Sequence, residues 1–361
     1  MNNTMQEIID WIEDHLFEDF SLERLGNDMG YSPYYCSFKF HQITGITIKR
    51  YMALRKVYLA AIELKETKQR TIDIAFKHGF LSQEAFSRAF KGTFGVNPSV
   101  FRRKPQPLQT FVKFNINSIK DGFSMDISQK LKIGTLQNRI QDQFDRDILN
   151  ILNGQMMYEE FHNHQLMEKS DYVPFNEAMC SNETTYPIFS DEFNKIRASG
   201  HQVTLHDYER ITLTPLKPLM EKQYQCMVLW FGDDMFCQMN MLTLLAHLEQ
   251  EGYEGKVYFH MVKELTYDVE ETDILLGGYK EIYEQVLIHH RLPEANLMPV
   301  MYQGISLYLE YLKDDNEITA FIRKNLGKPQ DELLQQLFRL FPHYGLGDLQ
   351  YIKMIKAVKE A

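Results

Sequence analysis

Apolar residues recur at helical spacing through residues 71–104, TIDIAFKHGFLSQEAFSRAFKGTFGVNPSVFRRK. Ile72, Ile74 and Ala75 give a short helix one apolar face. Gly79 ends it, because glycine accepts the left-handed conformation that a tight turn needs. Ser82 stands where an N-cap belongs. After it, Ala85, Phe86, Ala89 and Phe90 keep the helical period and leave Gln83, Glu84, Ser87 and Arg88 on the opposite side. The stretch predicts a helix, a turn and a second helix with a polar outer face.

The pattern is used twice. Leu25-Gly26, Gly30, Ser32, Phe40, Gly45 and Tyr51 match Ile74-Ala75, Gly79, Ser82, Phe90, Gly95 and Phe101 at an offset of 49 or 50 residues, with Leu81 as one extra residue in the second turn. A repeat of this size is one structural unit used twice. In the first copy the second helix is expected over about 32–43. Tyr34, Ser37 and Phe38 point outward, His41 and Gln42 lie near the end, and Cys36, Phe40 and Ile43 are core. The alternative for Phe38 is that it packs inward. A polar outer face suits the edges of base pairs, and aromatic side chains suit thymine methyls.

Residues 22–103 resemble the DNA-binding module of AraC/XylS-type transcription regulators. The resemblance rests on GYSPYYCSFKFHQITG, on Arg55 and Ala60-Ala61 of the middle helix, and on GFLSQEAFSRAFKGTFGVNPSVFRR. Gly26 stands where the family usually has alanine, and Ile48 where it often has proline. The resemblance implies an all-α double helix–turn–helix, binding to two successive major grooves of double-stranded DNA, contact with RNA polymerase, and a cytoplasmic location. It also implies an N-terminal helix packed on the first motif. Residues 3–17 fit that role, with Met5, Ile8, Ile9, Ile12 and Leu16 inside.

Residues 47–64 read as one continuous helix joining the halves. Eighteen or so residues span about 28 Å, close to the ~34 Å of one turn of B-DNA. Its Lys49, Arg50, Arg55 and Lys56 are either phosphate contacts or a solvated face. Asn97-Pro98-Ser99 starts the last helix of the module, which Arg102, Arg103 and Lys104 close. The two prolines of Lys104-Pro105-Gln106-Pro107 predict an extended spacer and a boundary, giving a DNA-binding domain over 1–106 and an α/β domain over 107–361, with a further division near 222 left open.

Beyond the boundary, 110–117 alternates like a strand. The stretch 126–168 reads as helical around 136–158, and 171–222 as loop-rich with short strands near 203–205 and 210–213. An apolar run at 224–231 suits a buried strand. Gly232-Asp233-Asp234 ends it, 235–250 is a helix, and 256–262 is a second strand. Strand, helix, strand with short loops implies a parallel pair. Helices follow at about 278–289, 299–313, 316–325, 331–341 and 348–359. This half resembles an uncharacterised domain family with a Gly-Asp strand-to-helix turn and a helical tail. The tail matches at Pro329-Gln-Asp-Glu-Leu-Leu and His343-Tyr-Gly-Leu-Gly-Asp348, and the resemblance brings no activity with it.

Charge changes the picture only when divided. The 361 residues carry a net −10, yet residues 30–104 carry +10, residues 1–29 carry −7 and residues 105–361 carry −13. Phosphate attraction is screened within ~8–10 Å, so the basic stretch outweighs the total. Hydrophobic content of 44% and aromatic content of 13% fit a globular chain. The four scattered cysteines fit buried thiols in a reducing compartment.

The base readers expected are Gln83, Glu84, Ser87 and Arg88, with Tyr34, Ser37 and Phe38. Ser32 and Ser82 mark helix N-termini where phosphate is met, and Lys49, Arg50, Arg102 and Arg103 are the basic contacts. Asp233 and Asp234 follow a parallel strand, where open α/β sheets bind ligands. They either grip a small molecule or cap a helix and face solvent. No metal and no cofactor are expected: His162-x-His164 and His289-His290 lack the i, i+4 spacing of a helical pair. Three readings stay open for the C-terminal half: sensing of a small effector, homodimer assembly, or an enzyme built on Asp233 and Asp234 with the DNA-binding module as its regulatory arm.

Overall fold

The computed structural model describes residues 2–115, 127–167, 170–263 and 268–360. In chain order come α1 (Asn2–Asp14), α2 (Leu22–Met29), α3 (Pro33–Thr44), α4 (Ile48–Glu66), α5 (Thr71–Lys77), α6 (Gln83–Phe94) and α7 (Pro98–Arg103). Next are α8 (Ile127–Phe144), β1 (Ile148–Leu152), α9 (Gly154–Asn163), β2 (Asp171–Pro174), α10 (Asp191–Gly200), α11 (Leu205–Tyr208) and α12 (Lys217–Glu221). They lead to β3 (Cys226–Gly232), α13 (Met235–Gln250), β4 (Lys256–Val262), β5 (Val269–Ile274) and α14 (Tyr279–Tyr283). Four helices follow, α15 (Pro299–Tyr311), α16 (Glu317–Asn325), α17 (Gln330–Leu340) and α18 (Asp348–Glu360). No helix among the described residues is long and apolar enough to cross a membrane.

The elements form two compact units. The first takes in Met1–Asp121, Asn296–Gln303 and Glu310–Ala361, and the second Gly122–Ala295 and Gly304–Leu309. The division therefore differs from the one expected at 106/107. Residues 310–361 of the helical tail group with the N-terminal module, and 304–309 of α15 group with the sheet.

Within the first unit each helix–turn–helix has its own core, and α4 serves both. Its first half packs with α1, α2 and α3 around Ile8, Leu25, Phe40 and Tyr51. Its second half packs with α5, α6 and α7 around Ile74, Phe86, Phe90 and Phe101. Arg55 of α4 is buried and grips Glu13 with two bonds, Nε–Oε1 at 2.9 Å and Nη2–Oε2 at 2.8 Å. It is a brace, neither a phosphate contact nor a solvated residue. Further along α4, Glu63 accepts from Lys77 and meets His78, both at 2.7 Å, tying down α5.

The stretch after α7 is no spacer. Pro107, Leu108, Gln109 and Thr110 are buried. Leu108 joins the second core, while Phe111 and Phe114 reach back to the first. Val300 N–H donates to Pro107 O at 3.1 Å. Gln109 donates from its backbone to Gln303 Oε1 at 2.9 Å and from its side chain to His343 O at 3.1 Å. The described part of the expected strand, 110–115, is irregular; 116 and 117 lie outside the described residues.

In the second unit the sheet order is β2-β1-β3-β4-β5. β1 to β4 are mutually parallel, and β5 pairs antiparallel with β4. The expected β3–α13–β4 unit is present as a parallel pair. β1 interrupts the helix expected over 136–158, because ILNIL is buried at every position between β2 and β3. The strands expected at 203–205 and 210–213 are absent: Thr204 caps α11, and Glu209–Leu213 continues it as a wide π turn. β5 is an acidic edge matched to β4, with Lys256–Asp273 at 2.8 Å and His260–Glu271 at 2.9 Å. All four cysteines are buried.

His247 of α13 is buried with Phe189 edge-on at 4.8 Å. Burial lowers its pKa to about 4, below the ~6.5 of an unfolded chain. Between those values the unfolded state binds the extra proton, so stability rises with pH and is lost as pH falls. The expected loss from pH 6.5 to 4 is about 3 kcal/mol. Urea unfolding followed by Trp230 fluorescence in a Trp11→Phe background at several pH values checks it, with His247→Gln showing a flatter dependence. Equal dependence in both proteins rules the mechanism out.

Candidate nucleic-acid interface

Local chemistry sets both recognition helices. Ser32 Oγ accepts from Tyr35 N–H at 3.1 Å and caps α3, and Ser82 Oγ accepts from Ala85 N–H at 3.1 Å and caps α6. Each hydroxyl satisfies one of the four N–H groups that a helix start leaves open. At the other end Gly45 (φ 73°) and Gly95 (φ 76°) close the helices in the left-handed region. The two glycines have a second duty. A Cβ on Gly45 would sit 2.9 Å from Phe341 Cζ, and one on Gly95 2.6 Å from Tyr302 Cγ. Equivalent positions of the repeat thus each take an aromatic ring from the tail.

The first turn explains a sequence departure. A Cβ on Gly26 would lie 2.7 Å from Tyr31 O and 3.0 Å from Pro33 N. This turn is one residue shorter than the second, which carries the extra Leu81 and has Ala75 at the matching position. Glycine is required by close approach, since backbone atoms cannot yield as a flexible side chain can.

Gln83, Glu84 and Arg88 are exposed on α6 and Ser87 is half-buried, while Phe86, Phe90 and Phe94 face the core. The Glu84 carboxyl is held below its ordinary value, chiefly by its own backbone N–H and by Ser82. On α3, Tyr34 is 76% and Phe38 50% exposed, so Phe38 does not pack inward. Their rings stack at 5.9 Å with 11° between planes. Ser37 is half-buried, and Cys36 and Phe40 are core.

Lys49 and Arg50 are exposed in the first turn of α4, where the helix end favours anions. Arg103 is exposed at the end of α7. Arg102 is partly spent on structure, donating to the Gln69 carbonyl between α4 and α5. Two exposed residues beside these are not among the expected contacts. Leu81 is 91% exposed at the turn before α6, and Lys91 is exposed one turn after Arg88. The insertion at Leu81 was the one available signal.

Asp233 and Asp234 lie where the strand order reverses, beside the carboxyl ends of β1 and β3. They are only 5% and 6% exposed, so neither faces solvent. Asp234 Oδ1 caps α13, accepting from Cys237 N–H at 2.8 Å. Buried polar side chains bond to one another and to the backbone nearby. Asn240 donates to Asn153 Oδ1 at 3.1 Å and to Glu177 O at 2.8 Å, and Gln238 donates to Gly232 O at 2.7 Å. A Cβ on Gly304, a residue of the same unit, would lie 2.6 Å from Gln238 Cβ, so Gly304 packs directly on Gln238.

A family model described as a helix-turn-helix domain matches residues 25–104. The Transposon Tn10 TetD protein of Escherichia coli is 37% identical over 99 residues, 27% of this chain and 72% of its own length. The regulatory protein SoxS of Salmonella typhimurium is 34% identical over 100 residues, 28% of this chain and 94% of its own length. A solved structure of the DNA-binding domain of AdpA in complex with a target DNA is 25% identical, covering 28% of this chain and 97% of that one, with a TM-score of 0.27. With two such relatives covered over more than two thirds of their length, the chain belongs to the AraC/XylS-type family of DNA-binding transcription regulators.

Proposed function

We propose that this protein reads DNA by laying α3 and α6 into two successive major grooves on one face of the duplex. The observation that carries the reading is that both recognition helices turn their polar or aromatic stripe outward while separate cores hold them from behind. α4, of 19 residues, spans about 28 Å at ~1.5 Å per residue, close to one turn of B-DNA.

In this reading Arg88 pairs bidentately with guanine and Gln83 with adenine, and Glu84 accepts from cytosine. Tyr34 and Phe38 offer a stacked apolar surface to thymine methyls. The N-termini of α3 and α6, at Ser32 and Ser82, meet phosphate with backbone N–H groups. Lys49, Arg50 and Arg103 add phosphate contacts, and Arg102 serves as a brace. Asp233 and Asp234 belong to the frame of the second unit in this reading, because both are buried and Asp234 caps α13. A small molecule that prefers one arrangement of the first unit shifts DNA affinity by the factor by which DNA shifts its own.

Selection on random duplexes tests the reading. Arg88→Ala is expected to relax preference at one base pair, a loss of ~1–3 kcal/mol there. Lys49→Ala is expected to weaken all sequences alike. An unchanged base preference for the Arg88 variant shows that α6 does not read sequence at that position.

A further inference from the structure

The first unit holds a cavity of about 360 Å³ between α1, α3 and α17. That volume lies within the ~300–1,000 Å³ of small-molecule sites. Its apolar side is formed by Met5, Ile8, Ile43 and Leu340, three of them buried. Its polar side carries three cations, Lys39, Lys328 and Arg339, against one carboxylate, Glu332. Lys39 Nζ reaches Gln42 Oε1 at 2.9 Å and Lys328 Nζ reaches Gln336 Oε1 at 2.8 Å, both neutral partners. Glu332 stands 3.7 Å from Lys328. Lys324, near the end of α16 and outside the lining, stands 3.5 Å from His41. Lys39 and Lys328 by themselves outnumber the one carboxylate of the wall.

α3 divides its residues between two duties. Tyr34 and Phe38 form the outward stripe, while Tyr35, Lys39 and Gln42 line the cavity on the neighbouring stripe. A molecule in the cavity touches the recognition helix without covering its outward face.

We propose that this cavity binds a small organic anion with an apolar body, its charged head between Lys39, Lys328 and Arg339 and its body against Met5, Ile8, Ile43 and Leu340, and that the bound anion alters DNA affinity through α3. The second half of that statement rests on the reading of α3 as a DNA-contacting helix; the first half does not. Linkage makes the coupling reciprocal: the anion and the DNA change each other's affinity by one factor.

The probe is octanoate, titrated calorimetrically into the full-length protein, with octyl phosphate, octanol and octylammonium beside it. Octanoate is expected to bind one per chain, octanol about tenfold more weakly, and octylammonium not at all. Octyl phosphate binding as well as octanoate assigns the site to anionic heads in general; octanoate alone assigns it to carboxylates. Lys328→Glu, at a half-buried position, is expected to weaken octanoate about tenfold, and Leu340→Trp to fill the cavity and abolish binding. Octanol binding as well as octanoate, or an unchanged Lys328→Glu variant, overturns the site. DNA affinity is measured with and without octanoate. DNA binding with no octanoate binding overturns the site and leaves the DNA reading intact. Octanoate binding with unchanged DNA affinity overturns the coupling.

Discussion

Raising salt from about 50 to about 200 mM is expected to cost the full-length protein roughly a thousandfold in affinity for duplex DNA. Lys49, Arg50, Arg88, Lys91, Arg103 and Lys104 are exposed on or beside α4, α6 and α7. If about six phosphates are neutralised, each contributes ~0.9 to the slope of log K against log salt, giving about −5. The net charge of −10 does not cancel this, because residues 30–104 carry +10 and fields are screened within ~8–10 Å. Arg55 drops out of the count, since Glu13 holds it in the core. Fluorescence anisotropy over a salt series measures the slope, and Lys49→Gln with Arg50→Gln is expected to reduce it by about 2. A slope near zero in the parent protein ends the reading of this face as a DNA surface.

Arg197→Met is expected to destabilise the second unit by about 3–5 kcal/mol, the cost of breaking a buried ion pair. Glu177 and Arg197 are both fully buried and meet at 2.6 Å and 3.0 Å. Tyr208 donates to Glu177 Oε1 at 2.8 Å, and His201 meets Oε2 at 3.0 Å. Arg197 also donates to the carbonyls of Ala178 at 2.9 Å, Ser181 at 2.7 Å and Glu183 at 3.1 Å. Burial alone raises the Glu177 pKa, but the Arg197 charge and bonds from His201 and Arg197 outweigh it and hold the carboxyl well below its usual range. Without Arg197 a buried carboxylate loses its counter-charge and several carbonyls lose their donor. The same loop supplies Glu177 O and Met179 N–H to Asn240, so the wall of the crevice beside Asp234 depends on it. Urea unfolding in a Trp11→Phe background reports this unit through Trp230. The pair Glu177→Gln with Arg197→Met is expected to cost less than the sum of the single changes. A loss under about 1 kcal/mol for Arg197→Met contradicts the account.

The sequence by itself determined the parts whose causes lie within a few residues. Ser32 and Ser82 cap, Gly30, Gly45, Gly79 and Gly95 close, and the spacing of Phe86 and Phe90 turns Gln83, Glu84 and Arg88 outward. β3, α13 and β4 were legible for the same reason: an apolar run, an Asp cap and a helical period follow one another with short loops. Tertiary structure decided what depends on distant partners. ILNIL is a short apolar run buried on both faces, and periodicity cannot tell such a strand from a buried helix turn. Arg55 and Arg50 stand five residues apart on one helix, yet one is buried against Glu13 and the other exposed, because only α1 and Phe111 decide which face of α4 is covered. The two prolines near residue 106 do hold the chain extended, but whether an extended segment is a spacer or a buried strap depends on what it meets. Here it meets Val300, Gln303 and His343, the last 234 residues away from Gln109, and no pattern local to the segment carries that information.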